Sequence, residues 1–150
     1  MKGNFVIDGE ILAVKEGNVL NFNELQKRLN RKTLTKKMLA DIPIEVFAYD
    51  ILELEGTDLR EKPISARRAM LAELLLNEAP ENIKISQAID FEKWSQLDLI
   101  RENSREINSE GLMLKQKNSH YHSGRKKGDW WKWKINPMTI DAVLIYAQKG

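Results

Sequence analysis

One long apolar stretch, Ile44 to Leu54, constrains the fold of this chain more than any other part of its sequence. Its residues, Ile-Glu-Val-Phe-Ala-Tyr-Asp-Ile-Leu-Glu-Leu, are rich in β-branched and aromatic side chains and nearly continuous in their apolarity. This composition is typical of a buried strand, and Glu55-Gly56-Thr57 after it favours a turn. Asp50 is the exception within the run. Because an unpaired buried carboxylate is costly, we expect Asp50 to be paired or hydrogen-bonded.

The remaining sequence predicts a mixture of strands and helices. Further strands are predicted at 5–14, 83–86, 111–117, 130–135 and 141–147. Helices are predicted at 22–30, 35–41, 65–78 and 90–107, with Asn21 and Ser65 as N-caps of the first and third. Because strands and helices do not alternate strictly, the pattern indicates an α+β fold with mainly antiparallel sheets and flanking helices.

The two longer helices show apolar faces. For the helix at 65–78, Arg67 and Arg68 are predicted to lie outside, and the inward residues are predicted to be Ala66, Ala69, Met70, Leu74 and Leu75. For the helix at 90–107, the residues predicted to face inward are Trp94, Leu97, Ile100 and Ile107.

The Asp8-Gly9 pair lies inside the first strand and allows two interpretations. An Asp-Gly pair favours a hairpin turn. Its apolar flanks instead favour a continuous strand, in which Gly9 lets a ligand approach the backbone.

Length and composition are those of one ordinary globular domain. At 150 residues, with 42% hydrophobic and 31% charged residues, the chain is long enough to bury a core of its own. It contains no cysteine, which excludes disulfides, thiolate chemistry and cysteine-ligated zinc. No apolar run is long enough to span a membrane, and the start lacks the long apolar stretch of a signal peptide. We therefore expect a cytoplasmic protein without a membrane partner.

Positive charge is concentrated in the last third of the chain. The net formal charge is only +2, but Lys115 to Lys134 contains seven Lys or Arg residues and one Asp, which leaves −4 for the rest. Such a basic stripe is typical of surfaces that meet phosphates, although it is also common as solvated surface. His120 and His122 lie in this stripe, and without Cys or further His we interpret them as an incidental pair.

The stripe ends in Trp130-Trp-Lys-Trp-Lys134. On a strand, this alternation puts Lys132 and Lys134 on one face and Trp131 and Trp133 on the other. Two ammonium groups fixed on a strand suit an anion such as phosphate, because less entropy is lost on binding. A solvated lysine face over a tryptophan-lined core fits the same pattern.

Three residues elsewhere suit the same kind of ligand. Glu10 and Glu110 lie beside glycines at strand positions, and such carboxylates can hold Mg²⁺ together with substrate phosphates. Tyr49, in the apolar run, can stack on a base. Taken singly, each residue is better explained by a structural role: a structural or solvated position for Glu10 and Glu110, and core packing for Tyr49.

These segments together resemble the ATP-dependent DNA ligases, within the wider covalent nucleotidyltransferases that include RNA ligases and mRNA-capping guanylyltransferases. The resemblance covers essentially the whole chain. Four segments resemble family motifs in the family's order: Phe5–Glu10, Phe47–Leu52, Glu110–Lys115 and Trp130–Lys134. Pro63–Arg68 resembles the helix start between them, and Thr139–Val143 resembles the stretch that follows the last motif in bacterial enzymes.

The resemblance implies a role for each candidate residue. Glu10 would contact the ribose or help with the metal, and Tyr49 would stack on the adenine. Glu110 would bind Mg²⁺ or Mn²⁺. Lys132 and Lys134 would hold the phosphates of ATP and then of AMP. The implied fold is the adenylation domain of the covalent nucleotidyltransferases, which is ATP-grasp-like.

The resemblance also implies a partner and a reaction. The partner would be nicked duplex DNA, which we expect to be contacted mainly at Arg125, Lys126 and Lys127. The reaction would seal nicks through enzyme-AMP and DNA-adenylate intermediates, in DNA repair, replication or recombination. The full-length parent is expected to be a monomer.

One departure from the family concerns the nucleophile. The family's nucleophilic lysine belongs to a Lys-x-Asp-Gly motif, and no such segment occurs here; the only Asp-Gly pair is Asp8-Gly9. We therefore expect residues 1–150 to be the C-terminal greater part of an adenylation domain, incomplete at both ends, without an OB-fold domain and inactive alone. Two alternatives stay open: a non-catalytic module that binds nucleic acid or nucleotide, and an RNA ligase or capping-type nucleotidyltransferase.

Overall fold

The computed structural model describes residues 3–78, 80–124, 126–139 and 141–148. These residues form the α+β fold that the sequence predicts, with one five-stranded sheet, one two-stranded sheet and flanking helices. Within the described ranges, no helix is long and apolar enough to cross a membrane.

The main elements follow the predicted order. The strands are β1 (Phe5–Lys15), β2 (Asn18–Val19), β3 (Ile44–Leu54), β4 (Thr57–Asp58), β5 (Ile83–Ile85), β6 (Gly111–Lys115) and β7 (Trp130–Lys134). The helices are α1 (Phe22–Leu29), α2 (Lys36–Asp41), α3 (Ile64–Glu78) and α4 (Trp94–Glu102), and a 3-10 segment follows at Asn103–Ile107. Strands β2 and β4 were not predicted, because two residues are too few to show a periodic pattern.

Strand β3 is the centre of the larger sheet. The strand order is β2-β1-β3-β4, and β5 pairs with β3 in parallel while the other pairs are antiparallel. Ala48, Asp50 and Ile51 are fully buried, at 0% exposure. The prediction of a buried strand at Ile44–Leu54 is confirmed.

Gly9 lies within a continuous β1, so the hairpin interpretation is wrong. The pairing of β1 with β3 shifts by one residue between Asp8 and Gly9. A Cβ atom at Gly9 would lie 2.9 Å from the carbonyl oxygen of Phe47. The backbone of β3 therefore approaches Gly9 closely, and the interpretation that Gly9 lets a ligand approach stays a prediction.

The main core lies between β3 and α3, and it corrects the predicted helix face. Leu71 is fully buried in this core, whereas Ala69 is exposed. Arg67 is buried rather than outside, at 0% exposure, and Arg68 is half-buried. The buried face of this helix differs from the predicted one because Arg67 points inward and pairs with Asp50. The helix also begins at Ile64, so Ser65 lies in its first turn and is not the N-cap.

A second apolar cluster joins α1 and α2 to the end of β1. Ala13, Leu25 and Ile42 form this cluster. Asn21 accepts a hydrogen bond from the Glu24 amide at 3.2 Å, and Thr35 accepts one from the Met38 amide at 3.2 Å. Both side chains therefore cap their helices, and the two predicted helices are confirmed.

The predicted helix at 90–107 is shorter and less buried than expected. The side chain of Gln96 accepts hydrogen bonds from the amides of Glu92 and Lys93 at 2.8 and 2.9 Å, which fixes the start of α4 at Trp94. Leu97 is buried as predicted. Trp94 and Ile107 are instead 64% and 67% exposed, and Ile100, at 36%, is also exposed.

The prediction of a strand at 141–147 is wrong. Residues 141–148 have no regular secondary structure, and the side chains of Val143, Leu144 and Ile145 are 85%, 83% and 92% exposed. An apolar run forms a strand only when a neighbouring strand supplies hydrogen bonds. None of the described strands pairs with this segment.

Candidate functional site

The two lysines of β7 share one face of the smaller sheet. Met113 lies opposite Lys132 and Gly111 lies opposite Lys134, so the four residues point to the same side. Both lysines are exposed there. On the other face Trp133 is half-buried, and the guanidinium of Arg101 lies 5.0 Å from its ring centroid. The predicted alternation is thus present.

Glu110 and Lys134 form an ion pair at the edge of this face. Lys134 Nζ lies 2.5 Å from Glu110 Oε2. The hydrogen bond from Lys134 lowers the pKa of Glu110, and the charge of Lys132 adds to this effect. A Cβ atom at Gly111 would lie 2.3 Å from the carbonyl oxygen of Trp133. Glycine therefore allows the close backbone approach that brings Glu110 to Lys134.

Asp8 joins two tyrosines from distant parts of the chain. Tyr49 donates a hydrogen bond to Asp8 Oδ1 at 2.9 Å, and Tyr121 donates one to Oδ2 at 2.8 Å. Burial, followed by the bond to Asp8, raises the pKa of both tyrosines, that of Tyr121 to about 12. The charge of Glu10 also contributes to the raised pKa of Tyr49. The ring of Tyr49 is therefore fixed at its hydroxyl end, with Glu10 nearby.

Lys115 lies between two aromatic rings. Its Nζ atom is 4.1 Å from the ring centroid of Tyr49 and 3.9 Å from that of Trp130. Nζ is inaccessible to solvent and has no hydrogen-bond partner. Burial lowers the pKa of Lys115 to about 8, and the nearby carboxylates of Asp50 and Asp8 oppose that shift. Two cation–π contacts replace water around this ammonium group.

The buried pair of Asp50 and Arg67 ties these residues to the larger sheet. Arg67 Nε and Nη2 donate to the two Asp50 oxygens at 2.7 and 2.8 Å. Arg67 Nη1 also contacts the carbonyls of Arg60, Lys62 and Ser119. The expected partner of Asp50 is thus found. One guanidinium joins β3, the turn before α3 and the loop before β7.

An open cleft borders the lysine face. It has a volume of about 520 Å³, and its lining includes Lys132, Met113, Tyr121, Trp130 and Lys126. His122 also lines it, and its Nε2 atom lies 3.0 Å from Asp129 Oδ2 and 3.1 Å from Lys126 Nζ. His120 instead pairs with Glu61 at 3.2 Å. The two histidines therefore have different partners.

The residues predicted from the sequence fall into two groups in the structure. Lys132, Lys134 and Glu110 lie together on the smaller sheet, and Tyr49 and Glu10 lie together on the larger sheet. Within the described ranges, no group of three or more His, Cys, Asp or Glu residues is arranged to hold a metal ion. Of the residues predicted to contact DNA, Lys126 and Lys127 are exposed, and Arg125 lies outside the described residues.

Sequence reasoning missed the residues that connect these two groups. The sequence assigns no individual role to Asp8, Lys115, Tyr121 or Trp130, although all but Tyr121 lie in segments that resemble family motifs. Their contacts depend on how β6 and its following loop meet β1 and β3. Periodicity gives no signal for such contacts, because the pairing between distant strands is not readable from one sequence.

The comparison with solved structures identifies the class of protein. The ligase domain of M. tuberculosis LigD superimposes with a TM-score of 0.64 and 25% identity, over 88% of this chain and 38% of that one. Mycobacterial DNA ligase D complexed with ATP and MES gives a TM-score of 0.65 at 24% identity, over 88% and 38%. The fold is therefore that of the adenylation domain of a DNA ligase.

Sequence relatives place the chain in a family. Residues 1–134 match the model of the ATP-dependent DNA ligase domain, and the chain belongs to this family. The DNA ligase of Thermococcus onnurineus is 32% identical over 146 residues, 97% of this chain and 26% of the relative. That of Archaeoglobus fulgidus is 31% identical over 150 residues, 100% of this chain and 26% of the relative. The chain thus spans about a quarter of the length of these relatives.

Proposed function

We propose that these 150 residues are the C-terminal greater part of the adenylation domain of an ATP-dependent DNA ligase and bind the nucleotide. The observation that carries this proposal is the pair of exposed lysines on one face of β7, with Lys134 held by Glu110 at 2.5 Å. Such a face offers two fixed cations to phosphate oxygens. The family match over residues 1–134 supports the same function.

Each candidate residue takes a part in this proposal. The ring of Tyr49, fixed by Asp8, stacks on the adenine, and Glu10 reaches the ribose. Lys132 and Lys134 contact the phosphates and neutralise the negative charge that develops when the α-phosphate is attacked. Lys134 would exchange its bond with Glu110 for a bond with phosphate, which costs little because both side chains are exposed, at 56% and 81%.

The donor set also fits a divalent cation shared with the nucleotide. The carboxylate of Glu110 is 81% exposed and pairs with Lys134, so its oxygens are accessible. Mg²⁺ is commonly held by one or two carboxylates together with substrate phosphates, so a cluster of three acidic residues is not required. Glu110, and Glu10 if the nucleotide brings it close, would hold Mg²⁺ or Mn²⁺, which when bound neutralises phosphate charge.

The wider reaction is the sealing of nicks in duplex DNA. A lysine attacks the α-phosphate of ATP, takes AMP and releases pyrophosphate; AMP then passes to the 5′-phosphate of the nick. The 3′-hydroxyl attacks that phosphate, which forms the phosphodiester bond and releases AMP. Lys126 and Lys127 on the exposed loop contact DNA phosphates, together with Arg125. Phosphate contacts carry no sequence information, which suits an enzyme that seals any nick. We place this activity in the cytoplasm, in repair, replication or recombination, with a monomeric parent.

The absence of a Lys-x-Asp-Gly segment limits what residues 1–150 do alone. We expect them to bind ATP without forming a lysine-AMP bond. The same absence favours the alternative of a non-catalytic module that binds nucleotide or nucleic acid. Transfer of label from α-labelled ATP distinguishes the two, if a Lys-x-Asp-Gly segment is joined upstream. Covalent labelling of the joined protein supports the ligase, and no labelling supports the module.

Lys132→Ala and Lys134→Ala test the phosphate face. Each change is expected to weaken ATP binding by about tenfold or more, because a charge-assisted hydrogen bond is lost. Calorimetric titration measures the affinity, and thermal melting checks the fold. Lys117→Ala is the control, since this exposed lysine follows the end of β6. An unchanged ATP affinity in both variants, or their unfolding, would favour a solvated structural face.

A further inference from the structure

Positive charge is concentrated at a second place in the chain, where α1 ends and α2 begins. The segment 27–37 contains six Lys or Arg residues and no Asp or Glu. Outside this segment and the stripe at 115–134, the chain has eleven basic and 21 acidic residues. The proposed function gives this second basic segment no task, although a cationic patch on an otherwise acidic body attracts anionic partners.

Most of these cations are not engaged by the fold. Lys27 pairs with Glu24 at 2.5 Å, and Arg28 Nη1 donates to the carbonyl of Ile42 at 2.7 Å. The other four side chains are exposed and form no hydrogen bond or ion pair with any residue that the structure describes: Arg31, Lys32, Lys36 and Lys37. They can therefore meet an anionic partner without breaking a contact of the domain.

Exposed apolar side chains lie among the same cations. Four large ones are on α1, on α2 or between them: Phe22, Leu29, Leu34 and Leu39. Lys36 and Leu39 are three residues apart on α2, so they lie on the same side of the helix. The second apolar cluster instead takes Leu25 and Met38 from the inner sides of the two helices. Large apolar side chains exposed together beside cations are typical of a surface that binds a partner.

This mixture distinguishes between two kinds of anionic partner. DNA offers mainly phosphates and sugars, which bind cations but cover no leucine side chain. An acidic protein segment that also carries apolar residues offers carboxylates to the cations and apolar side chains to the leucines. In addition, the proposed DNA contacts Lys126 and Lys127 lie on the loop before β7, in the other basic segment.

We propose that this face, the α1–α2 surface, is a docking site for an acidic protein segment that carries apolar side chains. Its carboxylates pair with the four free cations, and its apolar residues cover the exposed leucines. The α1–α2 surface consists of Phe22, Leu29, Arg31, Lys32, Leu34, Lys36, Lys37 and Leu39. The inference is independent of the proposed function, because these residues neither line the cleft nor belong to the lysine face of β7.

A fluorescent synthetic peptide of Asp and Glu, with Leu and Phe at helical spacing, tests the charged half of this surface. Lys36→Glu with Lys37→Glu is expected to weaken peptide binding by about tenfold or more, because two attractions become repulsions. Fluorescence anisotropy measures the affinity. Lys62→Glu with Lys84→Glu is the matched control, since it changes the charge equally at two exposed lysines elsewhere. Equal losses for the two pairs, or no peptide binding by the wild type, would overturn the proposal.

Leu34→Ser with Leu39→Ser tests the apolar half. Peptide binding is expected to weaken by about fivefold, because less apolar area is buried. Leu76→Ser with Leu99→Ser is the control, at exposed leucines of α3 and α4, and is expected to leave the affinity unchanged. Thermal melting checks the fold of each variant.

A second peptide, with Ser in place of every Leu and Phe, decides if the Leu34 and Leu39 variant does not fold. Wild-type protein is expected to bind this peptide about fivefold more weakly than the first. Equal affinity for the two peptides would contradict the proposal, since apolar contacts would then contribute nothing.

Nicked duplex DNA tests the competing partner. Lys36→Glu with Lys37→Glu is expected to bind DNA nearly as well as the wild type, while losing the acidic peptide. The reverse result, weaker DNA binding with unchanged peptide binding, would make the α1–α2 surface a nucleic-acid contact and would refute docking of an acidic segment. ATP affinity, measured on the same variants, tests the proposed function separately.

Discussion

At the scale of single residues, Arg67 shows how much depends on one buried charge. The sequence predicts that Asp50 has a partner, and the fold supplies it through a guanidinium at 0% exposure. The pair of Asp58 and Arg60 has a similar separation, 2.6 Å, but both side chains are about half exposed, at 54% and 50%. The two pairs differ in their effect on stability because of burial. When the exposed pair is broken, water solvates the remaining charge, but water cannot reach the remaining charge of the buried pair.

Arg67→Met is therefore expected to destabilise the protein by about 3–5 kcal/mol, since it leaves the Asp50 carboxylate buried without a partner. It also frees the three loop carbonyls that Arg67 contacts. Urea unfolding measures the change. Arg60→Met is the matched control and is expected to leave the midpoint almost unchanged. Equal midpoints for the two variants would show that Arg67 contributes no more than a surface arginine.

At the scale of elements, the residue patterns predicted strands and helices correctly where neighbouring residues in the sequence determine the structure. Asn21 caps the helix that follows it, as predicted, and the apolarity of Ile44–Leu54 marks the central strand. The patterns gave wrong predictions where a contact with a distant part of the chain determines the local structure. Arg67 points inward because Asp50 is there, and 141–147 remains irregular because no described strand pairs with it. A charged residue that finds a buried partner cannot be placed by helix periodicity alone.

The β6–β7 pair depends on a glycine for its close approach. Gly111 has a φ of 135°, and its missing Cβ would lie 2.3 Å from the Trp133 carbonyl. Gly111→Ala is expected to separate the strands locally, to lower the melting temperature and to weaken the Glu110–Lys134 pair.

Gly17→Ala is the control for Gly111→Ala. Gly17 also has a positive φ, 79°, but no atom lies within 4 Å of its missing Cβ. It is expected to lower the melting temperature less, because it adds backbone strain without a clash. Thermal melting followed by tryptophan fluorescence measures both variants. Equal losses of melting temperature would mean that the positive φ at 111, and not the contact with β7, is the reason for a glycine there.

At the scale of the whole molecule, the charge asymmetry predicts where DNA lies. Lys126 and Lys127 are exposed on the loop before β7, next to the cleft. The asymmetry was readable from the sequence, because charge is a matter of composition. The alignment of Tyr49, Lys115 and Trp130 was not, because it arises from the way two separate sheets meet.

Charge reversal of Arg125 and Lys126 to Glu is expected to weaken binding of nicked duplex DNA. It is also expected to reduce the slope of log affinity against log salt by about two, because about two phosphate contacts are lost. Titrations at several salt concentrations measure this slope. Lys36→Glu with Lys37→Glu, on α2, changes the net charge equally and is expected to leave the slope near wild type. An equal effect of both pairs would indicate long-range attraction without local contact.

The two apolar clusters both belong to the larger sheet and its helices, whereas β6 and β7 meet that sheet through Lys115, Tyr121 and the carbonyl of Ser119. Polar and cation–π contacts of this kind hold an orientation but bury little apolar area. We therefore expect the smaller sheet to be the first unit to open in native-state hydrogen exchange. Its amides would lose protection together, while those of β3 would exchange only when the whole domain unfolds. A bound nucleotide that touches both sheets would slow this opening, so amide protection of β6 would report occupancy without any chemical step.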